Sequence, residues 1–428
     1  MPRTRLNIAF VNTCYRLGGA ETVTAQLRRG MEERGHRTRL FVGLQKTYPL
    51  GDGVRPLYPR ALSYLRNSRL GARVEALAPV LPWSDRAFRR LASSDFDVVH
   101  LHSFHGEYAT LESLAWLARR KPVCWTIHSH WPVTGGCAHP LGCERYQDAC
   151  GECPHLDQWP MNGVDITAEQ LAAKRRWLSD APIHAVAVSD HSLKLIGRSP
   201  VSARWAVTRI HNGIGMDWAQ GGDRRRDAAF RASLGLSVDP AVRTILMVNR
   251  DYRNRDKGFP EMAEALRSID PRGIQVVLVG GAAAWARGEL PPGLDCVEVG
   301  YAVGERLQDF YRAADYFLFA SAGENFPCVI LEAMAAGCAI VATPTQGVTE
   351  QIVPGVNGWL AGEITGKALG LALQKALDGG DDLRESISRA GREWAVTHFS
   401  EETMVDRYES LYGALAGGGV GTAGVVGT

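Results

Sequence analysis

Lysine is scarce in this sequence, with seven residues against 41 arginines among the 48 basic side chains. That bias reads as genomic composition rather than mechanism. An excess of either charge is also lacking, since 48 basic residues face 46 acidic ones and leave a net charge of +2. The balance argues against a dedicated nucleic-acid binder, which needs a strong basic surplus. Long apolar runs are missing too. The apolar stretches that exist, such as Ile183–Val188 and Ile274–Val279, are of strand length and far short of the ~20 residues a bilayer requires. The run Leu6–Val11 is too short for a secretory segment and is followed at once by Asn12, Cys14 and Arg16. These absences together predict a cytoplasmic protein. There the nine cysteines would be mostly reduced or metal-bound.

What is present is ample core-forming material. A chain of 428 residues, 45% hydrophobic and 22% charged, predicts two or three domains and needs no disulfide or metal merely to fold. Strands and helices alternate in two rounds. In the first, strands fit Leu6–Asn12, Thr38–Val42, Val98–Leu101, Val123–Ile127, Ile183–Val188 and Val207–Ile210. A helix fits Ala20–Arg34, with Val23, Leu27 and Met31 on one face and Gly35 as its stop. After the Asn212-Gly213 turn, Gln220–Arg226 suits a linker. Strands recur at Thr244–Val248, Ile274–Val279, Cys296–Val299, Tyr316–Phe319 and Ala339–Ala342, and helices at Glu261–Ser268, Glu305–Ala313, Val329–Ala336, Leu383–Thr397 and Glu401–Ala416. Short buried strands separated by helices predict an α/β fold of two doubly wound, Rossmann-like domains with parallel sheets. Such sheets bind ligands at the carboxyl ends of their strands, and two of them facing across a cleft would make a deep site.

Four motifs fall at those strand ends. Ser321–Ala342 (SAGENFPCVILEAMAAGCAIVA) places Glu324 in a loop, Pro327 at a helix start and Glu332 eight positions after Glu324. A helix N-terminus there suits a phosphate, and the two carboxylates could accept hydrogen bonds from sugar hydroxyls. The plainer alternative is that Glu324 caps the helix and Glu332 is solvated. Asn249–Gly258 (NRDYRNRDKG) carries Arg250, Arg253, Arg255 and Lys257, either a diphosphate clamp or a solvated basic loop. Leu17–Glu21 (LGGAE) puts Gly18 and Gly19 at the first strand–helix turn, without the G-x-G-x-x-G spacing of a dinucleotide site. His128 follows a strand, whereas His100 and His102 read as structural.

Together, LGGAE, the strand-end His128, the loop ending Lys257-Gly258, the E-x7-E pair and the His211–Ile214 segment (HNGI), which looks like the family's hinge, resemble the family 4 glycosyltransferases from Leu6 to about Ala416. The resemblance implies the GT-B fold and a retaining transfer of a hexosyl unit from a nucleotide-diphosphate sugar. It implies an N-terminal acceptor-side domain over 1–215 with a Cys-rich insert at 134–160, and a nucleotide-sugar domain over 216–399. A helix at 400–416 would pack back toward the N-terminal domain, and 417–428 would be a disordered tail. By position, Arg250 and Lys257 would hold the diphosphate, with Arg255 as a substitute for Arg250 because the family's pair usually lies closer together. Glu332 would bind the ribose and Glu324 the donor sugar. Backbone amides at Gly18, Gly19, Asn325, Phe326 and the residues to Cys328 would complete the phosphate cradle. His128 would act near the reacting centre, although Ser129 stands where relatives often carry Asp. No catalytic metal is expected. The acceptor would be a glycan or lipid-linked oligosaccharide in bacterial polysaccharide assembly. A small-molecule acceptor, a nucleotide-sugar epimerase and a silent nucleotide-sugar-binding scaffold are the alternatives.

Cys137, Cys143, Cys150 and Cys153 are spaced C-x5-C-x6-C-x2-C. Four thiols so close predict structural Zn²⁺, with unligated thiols or disulfides as the alternatives. This insert resembles one found in a subset of family 4 enzymes of exopolysaccharide assembly, and would shape the acceptor side. Arg60–Arg90 holds seven Arg against Glu75 and Asp85 with apolar residues interleaved. It could rest on the inner face of an anionic membrane, or form an ordinary solvated helical pair.

Overall fold

The computed structural model describes residues 4–15, 18–43, 50–57, 83–105, 108–161, 163–220, 222 and 224–418. The chain divides into two compact units, one of Met1–His211 with Glu402–Thr428, the other of Asn212–Glu401.

The first unit runs β1 (Asn7–Asn12), α1 (Gly19–Glu33), β2 (Arg37–Val42), β3 (Val54–Pro56), α2 (Trp83–Ala92), β4 (Val98–Leu101), α3 (Leu111–Ala118), β5 (Val123–Ile127), α4 (Thr167–Leu178), β6 (Ile183–Ala187), α5 (Asp190–Arg198) and β7 (Ala206–Arg209). Its described strands form a seven-stranded parallel sheet in the order β3-β2-β1-β4-β5-β6-β7. All residues of β4, β5 and β6 are buried, as a sheet covered on both faces demands. α1 buries Val23, Leu27 and Met31, and Gly35 follows its C-cap at φ +88. Trp125 on β5 packs 5.7 Å from both Phe104 and Trp205 and donates to the His102 carbonyl at 3.2 Å.

The second unit runs α6 (Met216–Gln220), α7 (Ala228–Ser233), β8 (Arg243–Asp251), α8 (Phe259–Arg267), β9 (Ile274–Gly281), α9 (Ala283–Glu289), β10 (Asp295–Gly300), α10 (Glu305–Ala313), β11 (Tyr316–Phe319), α11 (Cys328–Ala336), β12 (Ala339–Ala342), α12 (Val348–Gln351), β13 (Trp359–Leu360), α13 (Gly366–Asp378) and α14 (Gly380–His398). Its described strands form a six-stranded parallel sheet, β10-β9-β8-β11-β12-β13. α13 carries Gly366 and Gly370 where a side chain would collide with Glu264 and Ser268 of the α8 region. Those glycines lower helix propensity and are kept for close helix packing.

One expectation changes. Of Gln220–Arg226, residues 221 and 223 lie outside the described residues, and the rest is no linker. Arg225 is buried, donates to the Gly337 carbonyl and sits well inside the second unit. Its three arginines are instead committed to this unit, with Arg224 paired to Asp227 at 2.7 Å and Arg226 to Asp381 at 3.5 Å. The Arg60–Arg90 patch lies outside the described residues up to 82, as does the tail from 419. Among the described residues no helix is long and apolar enough to cross a membrane.

The last helix, α15 (Glu401–Ala416), belongs from Glu402 onward to the first unit. Tyr408 and Tyr412 are fully buried there. The Tyr412 hydroxyl shares a 2.6 Å hydrogen bond with His100 Nδ1, and Tyr408 shares one of 2.7 Å with Thr126. Glu409 accepts from Arg34 at 2.8 Å and pairs with His36 Nε2 at 3.0 Å. The Leu6 amide donates to His36 Nδ1, which leaves the Nε2 proton for Glu409. Glu409→Ala strands the buried His36 donor, leaves Arg34 only its 2.7 Å pair with Asp406, and should cost roughly 1–3 kcal/mol. A urea-midpoint shift near zero would show that this pair does not fasten the helix.

Candidate functional site

At the carboxyl edge of the second sheet, β8 and β11 are neighbours. The ladder between β8 and β9 slips between Asn249 and Asp251, which leaves Arg250 as a bulged residue at the strand end. Bulges re-aim a side chain, and this one falls on Arg250. Arg250 is exposed. A short 3-10 turn, Arg255–Lys257, then leads into Gly258 at φ +64. A Cβ on Gly258 would lie 2.4 Å from the Ala320 carbonyl carbon, so the Lys-Gly pair is set by the close approach of two loops.

Those loops are stitched together. The Asp256 carbonyl accepts from the Ala322 amide at 3.0 Å, and the Ser321 hydroxyl lies 3.0 Å from it. Lys257 Nζ reaches Glu324 Oε1 at 2.7 Å, and Ser321 Oγ lies 3.2 Å from the same oxygen. The Thr345 hydroxyl donates to the Ser321 carbonyl at 2.7 Å. Glu324 is therefore not the helix cap. The N-cap of α11 is Pro327, one position before its expected place. Asn325 and Phe326 are buried, and the Phe326 carbonyl accepts from Asn212 of the HNGI segment at 3.0 Å. Gln351 donates to the Pro327 carbonyl at 3.1 Å. Ser321, Asn212, Thr345 and Gln351 escaped the sequence reading. Asn212 and Ser321 carried a signal, as members of recognised motifs, whereas Thr345 and Gln351 carried none.

Glu332 lies on α11, half-buried, and accepts from the Tyr311 hydroxyl of α10 at 3.2 Å. Burial pushes its carboxyl up to about 7, against the pull of the Tyr311 hydrogen bond. The carboxyl is thus poised to exchange its proton near neutrality.

In the first unit, Gly18 is the N-cap of α1 and Gly19 its first residue, with Glu21 in the opening turn. Leu17 lies outside the described residues. His128, just past β5, shares a 2.9 Å hydrogen bond from Nε2 to His102 Nδ1. Burial drives His128 down to about 4 and His102 well down, so both are neutral at pH 7. His100 is structural, bridging Tyr412 and Thr126. His105 shares a 3.0 Å hydrogen bond with Ser129.

The zinc expectation is not met. All four insert thiols are free, and among the described residues no group of three or more His, Cys, Asp or Glu side chains could hold a metal ion. Burial raises the thiols of Cys137, to about 11, and of Cys150, which keeps both protonated. The insert is ordered by hydrogen bonds instead. Cys153 N donates to Asp165 at 2.8 Å, Gly151 N to Thr167 at 2.9 Å, and Thr134 Oγ1 to the Cys137 carbonyl at 2.8 Å. Buried Lys174 donates to the carbonyls of Trp131 (2.6 Å) and Thr134 (3.0 Å) and lies 3.5 Å from the Trp131 ring centroid. The sequence has one Asp-x-Asp pair, Asp95-Phe96-Asp97. Asp97 accepts from the Asn7 amide at 2.7 Å and anchors β1.

Two outcomes follow. A carboxyl at about 7 when folded and about 4.3 when unfolded keeps its proton in the folded state alone between those values. Its contribution to stability is full below about 4.3 and is lost as pH rises through 7. The apparent Tm should show this decline, and Glu332→Gln should remove it; identical pH profiles would refute the assignment. Lys174→Met strands two buried carbonyls and should cost roughly 2–4 kcal/mol, with earlier proteolysis inside 134–160. Limited proteolysis and a denaturation midpoint check both.

Residues 17–218 match the family described as Glycosyltransferase Family 4, and residues 242–378 the one described as Glycosyl transferases group 1. The chain is 26% identical over 275 residues to an Escherichia coli glycosyl transferase named for colanic acid biosynthesis, covering 59% of this chain. The match spans 61% of that relative's length, less than two thirds. It is 27% identical over 372 residues to a D-inositol 3-phosphate glycosyltransferase of Xylanimonas cellulosilytica, covering 80% and 79% of the two chains. Its fold is similar to that of sucrose-phosphate synthase from Thermosynechococcus elongatus, with a TM-score of 0.72, 21% identity and coverage of 97% and 100%. It is also similar to that of Anabaena HepE in complex with UDP-glucose, with a TM-score of 0.66, 17% identity and coverage of 96% and 100%. The chain thus carries a domain matching the Glycosyltransferase Family 4 model followed by one matching the Glycosyl transferases group 1 model, on a two-domain fold similar to that of solved glycosyltransferases.

Proposed function

We propose that the chain transfers a hexosyl unit, with retention, from a nucleotide-diphosphate sugar to a glycan or lipid-linked acceptor in bacterial polysaccharide assembly. The observation that carries this reading is the 2.7 Å pairing of Lys257 with Glu324. It joins the basic loop to the first glutamate of the E-x7-E motif, so a cation and an acceptor of sugar hydroxyls share one point at the strand ends. Relatives named for colanic acid and for lipopolysaccharide synthesis support the acceptor class. A structural neighbour solved with UDP-glucose supports a nucleotide-sugar donor.

In this reading Lys257 and Arg250 take the diphosphate, and the amide ends of α11 and α1 (Gly18, Gly19) serve its oxygens. Asn325 and Phe326 shape the turn that presents the α11 amides. Glu332 accepts the ribose hydroxyls, and Glu324 those of the sugar. His128, neutral through the physiological range, serves the sugar as a hydrogen-bonding group. The anomeric carbon–phosphate bond breaks while a bond to the acceptor oxygen forms on the same face. The acceptor proton passes to the departing phosphate, and the gathering negative charge is met by Lys257 and Arg250. A second reading, with a small phosphorylated polyol as acceptor, is favoured by the match to the inositol-phosphate enzyme over 80% of this chain.

A thermal-shift panel of UDP-, GDP- and ADP-sugars should raise the apparent Tm with one base, since a ligand that binds only the folded state stabilises it. Nucleotide release should then depend on added acceptor. Glu324→Gln should cut turnover by about a hundredfold or more while nucleotide binding persists. Unchanged turnover would remove Glu324 from the mechanism, and binding without any acceptor-dependent release would favour a silent scaffold.

A further inference from the structure

The basic loop also lines a groove that includes neither Lys257 nor Glu324. Tyr252, Phe259 and Trp285 form a ladder of rings, 5.3 Å between the first pair and 5.5 Å between the second. The first two are buried, whereas Trp285 is 39% exposed. These rings, with Pro260 and Ala263, floor this groove of about 580 Å³ running between α8 and α9. That volume falls within the roughly 300–1,000 Å³ of small-ligand sites. Arg253, Arg255, Arg267 and Glu289 complete its lining. Arg267 donates to the Glu289 carbonyl at 2.6 Å, a main-chain bond. Three guanidinium groups thus face one carboxylate around an exposed indole.

We propose that this groove is an accessory binding site for a short acidic oligosaccharide. The inference rests on the glycosyltransferase reading, which makes glycans the molecules that this protein meets. An indole face offers a flat apolar surface for the C–H face of a sugar ring. Arginine forks match sugar carboxylates in geometry and charge. A stacked nucleic acid would need a long basic track, and a net charge of +2 over the whole chain supplies none. The groove would hold a growing acidic chain, or an acidic product, on the donor-binding unit and raise its local concentration.

Titration calorimetry of the full chain with trigalacturonate, at low and high salt, tests this. Trigalacturonate should bind, weaken with salt, and outbind neutral maltotriose by about tenfold or more. Trp285→Ala and the exposed-site variant Arg267→Ser should each weaken it by about tenfold. Both should keep the wild-type thermal shift with the nucleotide sugar. No binding of trigalacturonate, equal binding of maltotriose, or wild-type affinity in both variants overturns the proposal. So does tighter, variant-sensitive binding of oligothymidylate or of phosphatidylglycerol vesicles. If trigalacturonate fails while the nucleotide sugar still raises the Tm, only the groove falls. Loss of the nucleotide-sugar response in the wild type strikes the donor reading itself.

Discussion

Strand β11 pairs directly with β8 although two strands and their helices separate them in sequence. That one parallel ladder sets the chemistry of the second unit. The sheet grows outward from β8 through β9 and β10 in one direction, and from β11 through β12 and β13 in the other. The ends of β8 and β11 therefore lie side by side at the point where the strand order reverses, where such sheets bind ligands. Lys257 and Glu324, 67 positions apart, meet because of it. The first unit repeats the device, with β1 beside β4. There Asn12 Oδ1 accepts from the amides of Thr13 and Ser103 and binds the two strand ends together.

The polar groups at these edges are held by main-chain geometry more than by one another. Gly258 touches backbone, Ser321 and Thr345 bond carbonyls, and Asn212 and Gln351 brace the turn before α11. Such bracing fixes Glu324 and Lys257 before any ligand arrives, the preorganisation on which electrostatic catalysis depends. The insert follows the same economy. Its order comes from Asp165, Thr167 and Lys174, and burial keeps the Cys137 and Cys150 thiols protonated.

Local signals in the sequence carry much of this fold. β4, β5, β11 and β12 fall where the apolar runs place them, because buried parallel strands are short and mostly apolar. α13 was illegible since its two glycines mimic a loop until the neighbouring helix α8 is known. β3, three residues with an Arg and a Pro, has no pattern to read. In the site, Glu324, Glu332 and Lys257 stand out because their motifs are local. Tyr311 does not, for its bond to Glu332 exists only after α10 packs on α11. Nor does the bulge at Arg250, which only the ladder register reveals. The four cysteines misled because spacing alone fixes no common centre for their sulfurs.

The chain leaves the first unit at His211 and re-enters it at Glu402. Tyr408 and Tyr412 are core residues of a sheet whose first strand begins at Asn7. On the ribosome, the second unit is therefore complete before the first can close. During the synthesis of some 190 intervening residues (212–401), His100 and Thr126 lack their final partners. The amino-terminal sheet must wait, part-finished, for the last helix to emerge, and the order of translation becomes part of how this protein reaches its structure.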